Sequence, residues 1–310
     1  MTGSRVVVLA GPRSFCAGVE RAIDAVERAL ERFGPPVYVR KQIVHNRHVV
    51  GALERRGAVF VEELSQVPVA SVVVLSAHGV SPEVRAEAKR RDLRAVDATC
   101  PLVNKVHVEA RRFAQEGYHI VLVGHEGHEE IEGTRGEAPD RISVVDSVDA
   151  VEQLAFAADE RVAYLAQTTL STDEVDEIVE ALRERFPHAV GPGSDDICYA
   201  TQNRQDAVRA VARRSDVLIV VGSANSSNSN RLVEVAEREG CEAHLIDDAT
   251  ELDIAWIEGA TTVGITAGAS APEELVREVV DAIGGLGPLE LEEDEVTTER
   301  VRFRAPDGVR

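Results

Sequence analysis

No CxxC pair, no HExxH helix motif, no Walker loop and no GxGxxG turn occurs in the 310 residues. Their absence weakens zinc-ribbon, thioredoxin-type and zincin readings and leaves nucleotide binding without support. No apolar run approaches the roughly 20 residues that a membrane helix needs. The N-terminus lacks a basic-then-apolar leader, so a cytoplasmic protein with no membrane partner is expected. Lysine is nearly missing, with Lys41, Lys89 and Lys105 standing against 31 arginines. The formal charge of −20 argues against a nucleic-acid partner, because a phosphate backbone is repelled by such a field. A local basic patch could still take an anionic ligand.

Only four cysteines are present, too few in a cytosolic chain of this length for a disulfide framework. Cys241, in Glu239-Gly240-Cys241-Glu242, reads as a small core residue. The other three share a setting. Cys16, Cys100 and Cys198 each sit at a turn that leads into a helix, 84 and 98 residues apart. At Cys100 the strand residues Ala95 and Val96 run through Asp97-Ala98-Thr99 to the cysteine, and Pro101 then starts an amphipathic helix. Helix N-terminal N–H groups favour a thiolate there. Three thiolates and no obvious fourth suit a [4Fe–4S] cluster with one iron left open, a reading that spacing alone leaves undecided.

The length exceeds one ordinary core, so two or three domains are expected. Apolar strands alternate with helices throughout, at Val6–Leu9, Val37–Val39, Ser71–Leu75, His119–Val123, Ile142–Val145, Arg161–Ala166, Val217–Val221, Ala243–Ile246 and Thr262–Ile265. That spacing predicts parallel α/β units. The fold class is α/β, in three similar lobes of about 90–100 residues with small, mostly parallel sheets. The lobes run over 14–98, 99–194 and 195–285 plus 1–13, with an acidic tail at 286–310 whose β-like run Val296–Phe303 suggests a closing strand or arm. Pro187 to Asp196, with Gly191-Pro192-Gly193, is the best linker.

Ligands of open parallel sheets bind beyond the carboxyl ends of strands. The polar residues there are His45, His78, His128, Glu130, Thr168, Ser226, Asn228 and Ser270. Ser270 with Glu273 also fits a capping box, and Ser226 and Asn228 also fit N-caps, so capping and anion binding weigh equally for these three. The three histidines, facing one cavity, would bind a diphosphate as donors chargeable near neutral pH. Glu130 lies in an acidic run that reads by itself as a solvated face.

Beyond these patterns, the chain resembles the family of 4-hydroxy-3-methylbut-2-enyl diphosphate reductases. The resemblance is carried by Phe15-Cys16-Ala17-Gly18-Val19, Ile43-Val44-His45-Asn46, Ala77-His78-Gly79-Val80, Asp97-Ala98-Thr99-Cys100-Pro101 and Gly127-His128-Glu129-Glu130-Ile131-Glu132-Gly133-Thr134. It continues through Gln167-Thr168-Thr169-Leu170-Ser171, Asp196-Ile197-Cys198-Tyr199-Ala200-Thr201, Asn228-Ser229-Asn230-Arg231 and Thr266-Ala267-Gly268-Ala269-Ser270-Ala271-Pro272. It implies three lobes in pseudo-threefold arrangement around an oxygen-sensitive [4Fe–4S] cluster on Cys16, Cys100 and Cys198, which air would degrade to [3Fe–4S]. It also implies that His45, His78, Ser226, Asn228 and Ser270, with His128 and Ser227 beside them, hold an allylic diphosphate. Glu130, with Thr168 and bound water, would deliver protons, and reduced ferredoxin or flavodoxin would supply electrons. The implied reaction is reductive dehydroxylation to isopentenyl and dimethylallyl diphosphate, the last step of the methylerythritol phosphate route. Glu129 stands where the family pattern has proline. A non-redox hydro-lyase and an iron–sulfur sensor are the rival classes.

Overall fold

The structure, a computed structural model, describes residues 4–157 and 160–309. Residues 1–3 of the third-lobe assignment, 158–159 of the second and 310 of the tail lie outside the described residues. In chain order the elements are β1 (Arg5–Gly11), α1 (Ala17–Phe33), β2 (Val37–Arg40), α2 (Arg47–Arg55), β3 (Ala58–Val61), β4 (Val72–Leu75), α3 (Pro82–Arg90), β5 (Arg94–Asp97) and α4 (Pro101–Gln115). There follow β6 (His119–Val123), α5 (Glu129–Arg135), β7 (Ile142–Val145), α6 (Val148–Glu152), β8 (Val162–Ala166) and α7 (Thr172–Arg185). The last stretch holds α8 (Tyr199–Ala212), β9 (Val217–Val221), α9 (Ser227–Arg238), β10 (Glu242–Ile246), α10 (Ile254–Ile257), β11 (Thr262–Ala267), α11 (Glu273–Gly284) and β12 (Leu289–Glu295).

The chain divides into two compact units. The first comprises residues 1–19, 45–51 and 199–302 and contains a five-stranded sheet in the order β10-β9-β11-β1-β12, every pair parallel. Period-two alternation splits its strands between two apolar layers. Val7, Leu9, Val217, Ile219 and Val221 pack with Leu275, Val276 and Val279 of α11. Val8, Ala10, Leu218 and Val220 pack with Ala207, Val208 and Val211 of α8 and Leu232 and Val235 of α9. A parallel sheet covered on both faces needs nearly continuous apolar strands, which is how β1 and β9 read.

The tail departs from expectation. No strand forms over 296–303; the closing strand is β12, seven residues earlier in its start and acidic, Leu-Glu-Leu-Glu-Glu-Asp-Glu. As an edge strand it pairs, among the described residues, only with β1, Arg5 opposite Leu289, and exposes most of its side chains, so it needs no apolar pattern and its carboxylates discourage further pairing. Glu299, just beyond, reaches Arg204 of α8. The fully buried guanidinium of Arg204 donates to Glu299 Oε1 (2.9 Å), to the Ala200 carbonyl (2.9 Å) and twice to the Ser14 carbonyl (2.6 and 3.2 Å).

The second unit comprises residues 20–44, 52–198 and 303–310 and holds two parallel sheets, β3-β2-β4-β5 and β7-β6-β8. In the latter, Val121 and Val123 pack towards Ile178 and Leu182 of α7, while Ile120 and Leu122 pack towards Val106, Ala110 and Phe113 of α4. Helix starts follow their local chemistry. The Ser81 hydroxyl accepts the Val84 N–H ahead of Pro82, and Cys100 is the N-cap residue before Pro101. Among the described residues no helix is long and apolar enough to cross a membrane.

Candidate active site

In the first unit, Cys16 precedes α1 in a loop tied to the β11–α11 junction. The Cys16 N–H donates to the Ala269 carbonyl (3.2 Å) and Ser14 Oγ to Glu273 Oε2 (2.7 Å). Arg13 pairs with Glu273 (2.7 Å) and with Glu293 of β12 (2.9 Å). Glu273 is therefore taken by partners far away in sequence, and the capping box expected with Ser270 does not form. The N-cap of α11 is Pro272, and Ser270 Oγ donates instead to the His45 carbonyl (3.0 Å). The His45 loop is further held by Arg47 and His48, 2.7 and 2.9 Å from Asp248 Oδ2. Hydrogen bonds from Thr250 and Arg47 outweigh desolvation and hold that carboxyl well below the usual carboxylate range.

Ser226 is the N-cap of α9, accepting the Ser229 N–H, and Ser227 is the first helical residue. Asn228 is not a cap. It lies within the first turn, where its Oδ1 accepts the Ala269 N–H (2.9 Å) and its buried Nδ2 has no partner among the described residues. A buried amide with one end fixed and two N–H donors unmatched suits an oxygen-rich ligand. Gly222 and Gly268 make room for the neighbouring Ser229, since a Cβ at either would fall within 2.2 Å of its Oγ.

In the second unit, β4 runs into Ser76-Ala77-His78-Gly79. Ser76 Oγ and His78 Nδ1 lie 3.1 and 3.2 Å from Glu129 Oε2, an anchoring that the motif pattern did not reveal. The His78 and His128 rings meet edge to face at 5.9 Å. His128 is the N-cap of α5. Its Nδ1 accepts the Glu130 N–H (3.2 Å), which leaves the ring proton on Nε2.

Glu130 is buried, so the solvated-face reading of the acidic run fails. The cause is the first turn of α5, which points one of its three acidic side chains at the end of β8. There the carboxylate accepts both donors of Thr168, Oγ1 to Oε1 and N–H to Oε2, each at 2.9 Å. Desolvation pushes the Glu130 carboxyl above the usual range despite these bonds. Thr168 in turn receives the Cys198 N–H on its carbonyl (3.1 Å).

His128 does not behave as a chargeable donor. Desolvation, reinforced by His78, lowers its pKa from 6.5 to about 3, against the opposing pull of Glu129. The folded chain thus binds fewer protons here than the unfolded one, and stability contributed by neutral His128 falls as pH drops below 6.5 towards 3. His128→Asn keeps an N-cap acceptor and removes the titration. Its thermal midpoint should decline less than that of the parent between pH 6.5 and about 4; equal slopes would contradict the assignment.

None of the cysteines is in a disulfide; Cys16, Cys100 and Cys198 are half-buried and each immediately precedes or caps a helix. Cys241 differs. It is buried, its thiol lies 3.6 Å from the Ser215 carbonyl as a donor, and desolvation raises its pKa. Three half-buried thiols at helix starts, with the fourth occupied in the core, are of the kind that hold iron–sulfur groups.

Parallel sheets whose strand ends carry the polar groups, with a buried carboxyl set on a hydroxyl, are the arrangement of an α/β enzyme. The chain matches the LytB protein family over residues 7–284. The 4-hydroxy-3-methylbut-2-enyl diphosphate reductase of Mycolicibacterium paratuberculosis is 57% identical over 98% of this chain and 92% of its own length. That of Corynebacterium diphtheriae is 56% identical over 98% and 92%. The solved structure of the E-1-hydroxy-2-methyl-but-2-enyl-4-diphosphate reductase from Plasmodium falciparum superposes with a TM-score of 0.95 at 38% identity, covering 99% of this chain and 97% of that one. A solved (E)-4-hydroxy-3-methyl-but-2-enyl diphosphate reductase, described as the terminal enzyme of the non-mevalonate pathway, gives 0.64 at 31%, covering 91% and 99%. The chain belongs to the LytB protein family.

Proposed function

We propose that this chain is a 4-hydroxy-3-methylbut-2-enyl diphosphate reductase. It converts (E)-4-hydroxy-3-methylbut-2-enyl diphosphate into isopentenyl and dimethylallyl diphosphate by reductive dehydroxylation. The balance requires two electrons and two protons per turnover, one proton leaving in water with the hydroxyl oxygen and one ending on carbon. The observation that best supports this reading is the buried Glu130 carboxyl on Thr168, an acid kept protonated closer to neutral pH than an exposed glutamate.

In this reading Cys16, Cys100 and Cys198 hold the [4Fe–4S] cluster. When bound, the cluster would supply electrons and Lewis acidity, with reduced ferredoxin or flavodoxin as the electron source. Glu130 protonates the departing oxygen, while Thr168 fixes the carboxyl and shares the proton path. As the family resemblance implies, His45, His78, His128, Ser226, Ser227, Asn228 and Ser270 bind the diphosphate. Neutral His128 contributes its Nε2–H. The diphosphate contacts supply orientation and binding energy rather than chemistry. We read the chain as three lobes, 14–98, 99–194 and 195–285 with 1–13, one sheet to each, the tail 286–310 lending β12 to the third.

The test is iron and acid-labile sulfide per chain on anaerobically purified protein, with Cys16→Ser, Cys100→Ser and Cys198→Ser beside the parent. About four of each in the parent, lost in every variant, is the expected result. Iron that is absent, or indifferent to all three substitutions, would overturn the reading.

A further inference from the structure

We propose that Lys105 is a positioning residue that sets the spacing of Cys100 and Cys198, and thereby how firmly the chain holds the iron–sulfur group; this rests on the functional reading above. Lys105 stands in the second turn of α4, the helix that Cys100 caps. Its ammonium donates to the carbonyls of Ser194 and Asp195, both at 2.6 Å, and lies 3.3 Å from Asp196 Oδ1. An ammonium has three N–H donors, and these three oxygens match them. The other Asp196 oxygen accepts the Ala166 N–H (3.0 Å) at the end of β8, and the Cys198 N–H donates to the Thr168 carbonyl (3.1 Å).

The stretch 194–198 is therefore clasped between α4 and the end of β8. It needs the clasp, because from Pro187 to Asp196 the chain forms no helix or strand beyond a bridge at Val190 and includes Gly191-Pro192-Gly193. Such a segment would sample many conformations on its own, whereas ligand side chains must be held to within about 0.5 Å. The residue type is itself informative. In a chain with 31 arginines and three lysines, this position carries a lysine. A compact ammonium can converge on three oxygens around one point, which a planar guanidinium fork cannot.

The experiment compares the parent with Lys105→Met and Lys105→Arg, all purified anaerobically and reconstituted. It records iron per chain, the electron paramagnetic resonance spectrum of the reduced cluster, the rate of iron loss to a chelator, and the thermal midpoint of the iron-free chain. Lys105→Met should lose iron about 10–100-fold faster with an altered spectrum. Its iron-free midpoint should fall, since the buried Asp196 loses its counter-charge, but the iron-free chain should stay folded at the assay temperature, and Lys105→Arg should restore the rate only in part. Parent-like loss and spectrum in Lys105→Met would overturn the proposal, as would full rescue by Lys105→Arg or a loss explained by a collapsed iron-free midpoint. Should Lys105→Met fail to fold, Lys105→Gln, which keeps two N–H donors, takes its place under the same criteria. A parent chain without iron would instead sink the functional reading, so the two failures are distinguishable.

Discussion

Glu130→Gln is expected to lower turnover by about 10²–10⁴-fold, the usual worth of a positioned general acid, while the chain keeps its iron and still binds the diphosphate. Gln cannot give up a proton, yet its amide fits the same place. Its oxygen can accept the Thr168 N–H, and the Thr168 hydroxyl can rotate to accept from its NH2. The same variant should be more stable than the parent at neutral pH. Desolvation raises the folded-state pKa of Glu130, so folding takes up a proton there and stability falls as pH rises from the unfolded carboxylate value to the folded one. A raised thermal midpoint at pH 7 that shrinks near pH 4 is the signature. A variant with parental turnover would mean that the proton comes from elsewhere. The outcome also separates the reading from a sensor, which would have no reason to bury an acid against a hydroxyl.

Glu299→Ala should destabilise the iron-free chain by about 3–5 kcal/mol, the cost of leaving a buried charge without its partner. Arg204 is fully buried, and the described ion pairs give it only Glu299 as a counter-charge. Replacing both, as Arg204→Met with Glu299→Ala, should recover much of that loss, because a well-packed apolar pair is often as stable as a buried ion pair. Recovery should be incomplete, since the Ser14 and Ala200 carbonyls lose their donors. The denaturant midpoints of the three chains decide the matter; a single variant no less stable than the double would remove Glu299 from this role.

The parallel sheets were legible because buried strands such as Val217–Val221 must be apolar on both faces, and the helix starts because Ser81-Pro82 and Cys100-Pro101 carry their own capping chemistry. What stayed hidden depends on partners distant in sequence. Glu130 looks like surface until α5 sets it on Thr168, 38 residues later. Ser270 and Glu273 have the spacing of a capping box, but Arg13 and Ser14 claim the glutamate from about 260 residues away. Short edge strands also escape: β3 has four residues, and β12 is written in glutamates because an edge does not need to be apolar. Arg204 was unreadable for the opposite reason, since a helical arginine is ordinarily solvated.

The frame of the Cys16 loop also fixes an order of events during synthesis. Cys16 is synthesised before its supports, since Ala269, Glu273, Glu293 and Arg204, with the Glu299 that neutralises it, all follow it in the chain. At about 5–20 residues per second, roughly 15–60 s separate the cysteine from its supports. Cys100 and the strands β6, β7 and β8 are all made before any of those supports, whereas the frame of Cys16 is complete only at residue 299. A cluster held by all three proposed thiols would therefore gain its full frame only once residue 299 has been made, and a chain cut short before it would lack this frame around Cys16.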